Sequence, residues 1–191
     1  MAGDASGAAG FAGLVTASRS GDMAARSRLD EAIYAELYAI AQILMRREAP
    51  RVSFSSSDLV NEAALRLLQS AEAPPEDRAH FLALSARVMR NVLIDAARRR
   101  AADKRRKVTV TLHTDQADAA ANPMELIALE TALMRLKAID PERAEIVIMR
   151  YYGGMTTEEI ALVLGLSDST VKRAWRAACA WLKEAIEHDK L

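Results

Sequence analysis

Apolar residues recur at steps of three and four along most of the chain, which is the spacing of one face of an α-helix. Between the turn residues Ser20-Gly21-Asp22 and Pro50 this spacing predicts one long amphipathic helix. Its apolar positions are Leu29, Ile33, Leu37, Ile40, Ile43 and Leu44. A short helix is predicted before it, over residues 11–19. Residues 1–10 hold too few large apolar side chains to offset the entropy of ordering, so a disordered tail is predicted there.

Caps and helix breakers mark the helices that follow. Ser57 is the predicted N-cap of a third helix. The apolar residues of that helix are Leu59, Val60, Ala63, Leu67 and Leu68. After Pro74-Pro75, no Gly or Pro interrupts residues 77–105, which predicts a helix about 40 Å long. In the second half of the chain, helices are predicted over residues 124–137, 141–152, 157–164 and 168–187.

The sequence contains no strand pattern long enough to build a sheet. The β-like stretch at residues 108–112 is too short, and the acidic, Ala-rich residues after it read as a linker. The predicted fold is therefore all-α, with two helical domains joined by a flexible acidic linker. The predicted division is a tail at residues 1–10, a first domain at 11–107, a linker at 108–123 and a second domain at 124–191.

Composition narrows the class of protein. With 191 residues and 51% apolar side chains, the chain can bury a core without disulfides. The single cysteine, Cys179, excludes an intramolecular disulfide framework and a thiolate metal site, which predicts a reducing, cytoplasmic compartment. No apolar run approaches the length of a membrane span, and the N-terminus lacks the basic region of a signal peptide, so no membrane association is expected.

Charge is balanced overall but unevenly distributed. The chain has 26 Lys and Arg against 26 Asp and Glu, for a net charge of zero. Residues 87–107 nevertheless contain nine Lys or Arg and two Asp, whereas residues 108–131 contain four acidic residues and no Lys or Arg. A charge run of this kind is often only a solvated helix tail that leads into a solvated loop. The alternative is a basic surface for an anionic partner.

The C-terminal helices show the arrangement of a helix-turn-helix. Thr156-Thr157-Glu158-Glu159 is a capping box that begins one short helix, and Gly165-Leu166-Ser167 supplies a turn and a new N-cap. One face of the last helix is apolar, and Trp175 and Trp181 on that face are assigned to the core. The opposite face carries Ser169, Lys172, Arg173 and Arg176. These side chains suit a DNA recognition helix, although a plain helical hairpin with a solvated face has the same pattern.

A second basic face lies on the long helix of the first domain. Arg87, Asn91 and Arg98 fall within about 40° of each other around the helix, and Arg90 lies about 60° further round. The other side is apolar, with Phe81, Leu82, Val88, Met89, Val92, Leu93 and Ala96. Asn91 can read a base edge, while the arginines mainly contact the backbone of a nucleic acid. Two basic helices on two domains predict two contacts along one extended polymer.

Three ordered blocks of the sequence resemble the sigma-70 family, specifically the small two-domain extracytoplasmic-function (ECF) sigma factors of bacterial RNA polymerase. Residues 57–68 resemble region 2.2, residues 81–99 resemble regions 2.3 and 2.4, and segments between residues 139 and 173 resemble region 4. In the second block the matching residues are Phe81, Arg87, Arg90, Asn91, Asp95, Arg98 and Arg99.

This resemblance implies a sigma factor that binds core RNA polymerase and directs promoter recognition, DNA melting and transcription initiation. The family's contact with the β′ clamp helices would fall on Asp58, Asn61, Glu62 and Arg66. The minus-10 element would be bound by Arg87, Arg90, Asn91 and Arg98. The second domain would bind the β flap and read the minus-35 element through Ser169, Thr170, Lys172, Arg173 and Arg176. The resemblance implies no catalytic residue, cofactor or metal, and it leaves an anti-sigma partner open.

The sequence departs from the family pattern at three positions. Asn61 stands where Gln is usual, Leu84 replaces a common Trp, and Ala174 occupies a site that often carries Arg. Because Phe81 is the only aromatic residue on the long helix, base stacking is not expected from that helix. The loop at residues 71–77 is an alternative frame for a flipped base.

Three other functions compete with this interpretation. An enzyme is disfavoured because His80, His113 and His188 are scattered and no Gly-rich phosphate loop or HExxH motif occurs. A stand-alone helix-turn-helix regulator would need a dimer interface and would bind duplex DNA without polymerase. A helical adaptor that does not bind DNA would not need its basic side chains.

Overall fold

The structure is a computed structural model that describes residues 4–48, 55–69, 75, 77–108 and 123–188. These residues form eight α-helices and contain no strand, which confirms the predicted all-α fold. The helices are α1 (Asp4–Arg19), α2 (Met23–Glu48), α3 (Ser56–Gln69), α4 (Arg78–Val108), α5 (Pro123–Ile139), α6 (Pro141–Val147), α7 (Thr157–Leu164) and α8 (Asp168–His188). No helix in the described ranges is long and apolar enough to cross a bilayer.

Short polar side chains begin several of these helices where the sequence predicted a start. Asp22 Oδ1 accepts hydrogen bonds from the backbone N–H groups of Ala24 and Ala25, at 2.9 and 3.0 Å, and so caps α2. Asp140 accepts from the N–H of Arg143 at 2.9 Å and caps α6, whose first residue is a proline. These bonds satisfy N–H groups that have no partner within the helix.

Two predicted helix starts are wrong. The cap of α3 is Ser55 and not Ser57, because Ser55 and Asp58 exchange hydrogen bonds across the first turn. Helix α1 begins at Asp4, so much of the segment predicted as a disordered tail is helical. Ala5, Ala8 and Ala9 favour extension of the helix toward the N-terminus.

The predicted helix over residues 141–152 ends in a π-helical turn, Ile148–Tyr152, that follows α6. The Gly153 N–H donates to the carbonyls of Ile148 and Met149 at 3.3 and 3.1 Å. A Cβ at Gly153 would lie 2.6 Å from the Met149 oxygen and 2.9 Å from the Ala86 Cβ of α4. The backbone approaches α4 this closely only because residue 153 has no side chain.

Helix α4 lies at the centre of the molecule. Ala86, Met89, Val92, Leu93 and Ala97 are all completely buried along it. The helix packs against α1, α2 and α3 on one side and against α5, the π turn and α7 on the other. The sequence predicted one packed face on this helix, and the structure shows packing on both sides. One continuous apolar core therefore includes residues from α1–α4, here called the first lobe, and from α5–α8, the second lobe.

Several predictions concern residues outside the described ranges. Helix α4 continues to Val108 and α5 begins at Pro123, and the rest of the predicted linker and β-like stretch lies outside them. Most of the loop predicted to frame a flipped base, residues 71–77, also lies outside. The domain boundaries stay predictions.

Candidate nucleic-acid and polymerase interfaces

Helices α7 and α8 form the predicted helix-turn-helix. The Glu159 N–H donates to Thr156 Oγ1 at 3.1 Å, and the Thr156 N–H donates to Glu159 Oε2 at 2.8 Å, so the predicted capping box is present. Gly165 ends α7 in the left-handed region, with φ of 65°, and the Leu166 N–H donates to the Ala161 carbonyl at 2.9 Å. This is the geometry by which a helix stops and the chain reverses.

Ser167 begins α8 as predicted. Its hydroxyl accepts from the Thr170 N–H at 3.2 Å and lies 2.9 Å from the hydroxyls of both Ser169 and Thr170. The polar atoms of this turn are therefore ordered at the helix end that would approach DNA. A recognition helix contacts base edges through its first residues.

The two faces of α8 agree with the predicted pattern. Val171, Ala174, Ala178 and Leu182 are buried, and Trp175 and Trp181 pack against the same core. The polar residues Ser169, Lys172, Arg173 and Arg176 are exposed, and Thr170 is half-buried. Within the part of the chain that the structure describes, Lys172, Arg173 and Arg176 form no ion pair. Their charges are available to an anionic partner.

Sequence reasoning missed Arg150, which fixes α8 to the rest of the second lobe. Its guanidinium lies 5.2 Å from the centre of the Trp175 ring. The same group donates to the buried Thr157 hydroxyl at 2.9 Å. A cation over a Trp face adds a directional attraction to apolar packing. These contacts set the orientation of α8 relative to α7.

The residues expected to bind polymerase lie together on α3. Asp58 and Asn61 are exposed, whereas the Arg66 guanidinium bonds both Glu62 and, on α4, Asp95, each at 3.0 Å. The N–H and hydroxyl of Ser55 hold the pKa of the Asp58 carboxyl below its ordinary value. A groove of about 370 Å³ follows this face, lined by Asp58, Glu62, Val92, Ala96, Arg99, Arg100 and Asp103.

Leu65 and Leu68 add an apolar element to the α3 face. Leu68 was predicted among the apolar residues of this helix, yet its exposed fraction is 83%, and that of Leu65 is 54%. Only Leu59, Val60 and Ala63 are buried on α3. Leu65 and Leu68, three residues apart on the helix, therefore leave apolar surface on the same face as the expected polymerase contacts.

The structure separates the four expected minus-10 residues into two pairs. Asn91 and Arg98 are exposed. Arg87 Nε donates to Glu145 of α6 at 2.9 Å. Arg90 makes a two-pronged ion pair with Glu130 of α5, and the two side chains are only 11% and 8% exposed. The helical periodicity predicted that Arg90 lies on a basic face. In the structure its side chain is instead paired with a carboxylate of the second lobe.

Two further polar contacts join the lobes, and sequence reasoning missed both. Arg78 of α4 bonds Glu36 of α2 at 2.5 Å and Glu159 of α7 at 2.6 Å. The Tyr151 hydroxyl donates at 2.5 Å to Glu48, a completely buried carboxylate at the end of α2. Residues 42 to 103 positions apart meet in these contacts, so no local pattern in the sequence reports them.

Comparison with known proteins identifies the family. The sequence profile of ECF sigma factors matches residues 8–188. An RNA polymerase sigma-E factor of Streptomyces avermitilis is 40% identical over 56 residues, which are 29% of this chain and 31% of that relative. Those of Streptomyces antibioticus and Streptomyces coelicolor are 38% and 39% identical over 52 and 51 residues, in each case 27% of this chain and 29% of the relative. Each alignment thus spans less than a third of the relative's length. Because the family profile covers nearly all of the described residues, the chain belongs to the ECF sigma factor family.

Proposed function

We propose that this chain is a promoter-specificity subunit that binds core RNA polymerase and directs promoter recognition, DNA melting and transcription initiation. The observation that carries the proposal is the start of α8, where exposed cations stand at the N-terminal end of a helix-turn-helix. The match to the ECF sigma factor family supports a role in transcription. The chain itself supplies no bond chemistry and acts in the cytoplasm, at the promoter.

The minus-35 contact is assigned to α8. Lys172, Arg173 and Arg176 are exposed and form no ion pair in the described part of the chain, so they can neutralise phosphates without first losing a protein partner. Ser169 and Thr170 in the first turn are placed to reach base edges. We therefore assign readout of the bases to the two hydroxyls, and contacts with the DNA backbone to the three cations.

The minus-10 contact is assigned to α4. Asn91 and Arg98 are exposed on it and are available in the described conformation. Arg87 and Arg90 complete the set, and each must leave a carboxylate of the second lobe before it can bind DNA. Opening of the lobes is therefore part of the proposed function.

The polymerase contact is assigned to the exposed face of α3. Asp58, Asn61, Glu62 and Arg66 give it charge, and Leu65 and Leu68 give it apolar area. The β′ clamp helices are the proposed partner of this face, and the β flap is that of the second lobe. An acidic or apolar anti-sigma partner would compete for the same surfaces.

The test is co-purification with core RNA polymerase, followed by run-off transcription on genomic fragments. The chain is expected to bind the core and to start transcripts at discrete sites. Leu65→Ser/Leu68→Ser is expected to weaken core binding without changing the start sites, and Met23→Ser, on the exposed side of α2, serves as the control. A chain that ignores the core and binds a palindromic duplex as a dimer would be a stand-alone regulator, and the proposal would be wrong.

A further inference from the structure

Three consecutive residues of the π turn contact three different parts of the molecule. The Arg150 guanidinium lies against α7 and α8, whereas the Tyr151 hydroxyl bonds Glu48 of α2. Tyr152 is completely buried in the core. The close approach of Gly153 to α4 holds the turn from a further side. The backbone that carries Arg150 is therefore fixed relative to the core.

Arg150 contacts both helices of the helix-turn-helix at once. It donates to the hydroxyl of Thr157, the first residue of α7, at 2.9 Å, and it lies 5.2 Å from the centre of the Trp175 ring on α8. Burial raises the pKa of the Cys179 thiol, one turn beyond Trp175, and the positive charge of Arg150 opposes that rise. Within the ranges that the structure describes, no carboxylate pairs with Arg150. Its charge is therefore directed at the indole ring.

Apolar packing alone holds the rotation of α8 about its axis only loosely. The buried residues of this helix are Val171, Ala174, Ala178 and Leu182, of which three are small, and apolar attraction has no preferred direction. A helix with its side chains is about 10–12 Å wide, so a rotation of about 10° moves a side-chain tip by about 1 Å. Hydrogen bonds to base edges form only within a few tenths of an ångström. A directional contact is therefore needed to hold the first turn in register.

From this arrangement we infer that Arg150 and Trp175 are positioning residues for minus-35 recognition. Their contact fixes the rotation of α8, and with it the register of Ser169 and Thr170 against the base edges, although neither Arg150 nor Trp175 touches DNA. The inference deepens the proposed function and rests on it, whereas the contact between the two side chains does not. A cation over the face of a Trp ring is the directional contact that the apolar side of α8 lacks.

The rival role for Arg150 is a direct contact with a DNA phosphate, since its side chain is half-buried rather than fully covered. A phosphate contact raises the affinity for every duplex and adds to the salt dependence of binding. A positioning contact instead changes the ratio of affinities for the correct and the altered sequence, and it leaves the salt dependence unchanged. The two roles are therefore separated by measuring this ratio together with the salt dependence.

The first experiment tests the contact without DNA. Trp181→Phe leaves Trp175 as the single tryptophan of the chain, so fluorescence quenching by acrylamide reports the access of solvent to its ring. In this background, Arg150→Gln is expected to raise the quenching constant, because the guanidinium no longer covers the ring. Arg150→Lys keeps a cation at the site and is expected to raise it less. Lys183→Gln removes the same charge further along α8 and should leave quenching unchanged.

The second experiment measures promoter discrimination by the holoenzyme. The probes are a promoter fragment identified by run-off transcription and the same fragment with its minus-35 region scrambled. Arg150→Gln and Trp175→Leu are each expected to reduce the ratio of the two affinities roughly tenfold, without changing the salt dependence. Arg150→Lys should retain most of the discrimination. The double variant Arg150→Gln/Trp175→Leu should be no worse than either single variant, because both changes remove the same contact.

The outcomes separate this inference from the proposed function. Unchanged quenching in Arg150→Gln would show that the contact is absent, and equal weakening of both fragments with a lower salt dependence would make Arg150 a phosphate contact. Either result would overturn the positioning role. Run-off transcription by the parent chain reports the sigma activity independently, so its failure would overturn the proposed function and not the contact. If Trp175→Leu fails to fold by circular dichroism, Arg150→Gln and Arg150→Lys still decide the question.

Discussion

At the scale of single residues, the partner that faces a side chain determines what it can do. Lys172 and Arg90 have the same sign of charge and were both predicted to contact nucleic acid. Lys172 projects from α8 without an ion-pair partner in the described residues, whereas Arg90 is buried in a pair with Glu130. Asp58 is likewise both a predicted polymerase contact and half of the cap of α3. A change at Asp58 therefore has a structural effect besides any effect on binding.

Ser55→Ala is expected to raise the pKa of Asp58, because the lowered value depends on hydrogen bonds from the Ser55 N–H and hydroxyl. A lowered pKa in the folded state stabilises the fold above the unfolded pKa, and this contribution is lost as the pH falls through the folded pKa. The variant should therefore lose less stability on acidification than the parent chain. Carboxyl chemical shifts against pH test this, and Ser57→Ala, which removes a neighbouring hydroxyl outside the cap, should leave the Asp58 titration unchanged.

Gly153→Ala is expected to destabilise the protein by roughly 1–3 kcal/mol, because the new Cβ would collide with the Met149 carbonyl and the Ala86 side chain. Gly13→Ala is the matched control, since nothing lies within 4 Å of its Cβ position in α1. That change should stabilise the helix by about 0.5–1 kcal/mol. Urea unfolding measures both, and a neutral Gly153→Ala would show that the π turn moves away from α4 at little cost.

At the scale of elements, the helices were predictable because their signals are local. The bounds of α7 agree with the prediction, since Thr156, Glu159 and Gly165 all lie within or beside it. The π turn was not predictable, because its geometry depends on contact with Ala86 of another helix. The burial of α4 on both sides was missed for the same reason. Caps and periodicity determine a helix, whereas its surroundings determine which of its faces are exposed.

The charges at the start of α8 are expected to act through phosphate contacts. Replacing Lys172, Arg173 or Arg176 by Ala in the holoenzyme should weaken minus-35 binding and reduce the salt dependence by up to about 0.9 log unit per lost contact. Lys183→Ala removes the same charge from the far part of the same helix and is the control. Filter binding of promoter fragments across a range of salt concentrations measures the slopes. Equal slopes for all four variants would remove α8 from the DNA interface.

At the scale of the whole molecule, a net charge of zero conceals an uneven distribution of charge. The basic residues of α4 and the acidic residues of α5–α7 are distant in sequence and adjacent in the structure. The sequence predicted the basic face of α4 and two contacts with an extended polymer. It did not predict that the second lobe would cover part of that face, because the pairs join residues 40 to 81 positions apart. Such pairing is a property of the folded chain and leaves no periodic signal.

The shared core predicts that the two lobes unfold together. Both tryptophans lie on α8, so their fluorescence reports the second lobe, whereas far-ultraviolet circular dichroism reports all helices. The two signals should give one coincident urea transition.

Tyr151→Phe removes a hydrogen bond to the buried Glu48 carboxylate and should lower the free energy of unfolding by about 1–3 kcal/mol.

Tyr34→Phe, at an exposed tyrosine of α2, should leave the midpoint unchanged and controls for the loss of a hydroxyl. If Tyr151→Phe also separates the fluorescence and dichroism transitions, the Glu48 contact couples the lobes as well as stabilising them. Two separate transitions in the parent chain would mean that the lobes unfold independently, and the Arg78–Glu159 and Arg90–Glu130 contacts would then contribute too little to couple them.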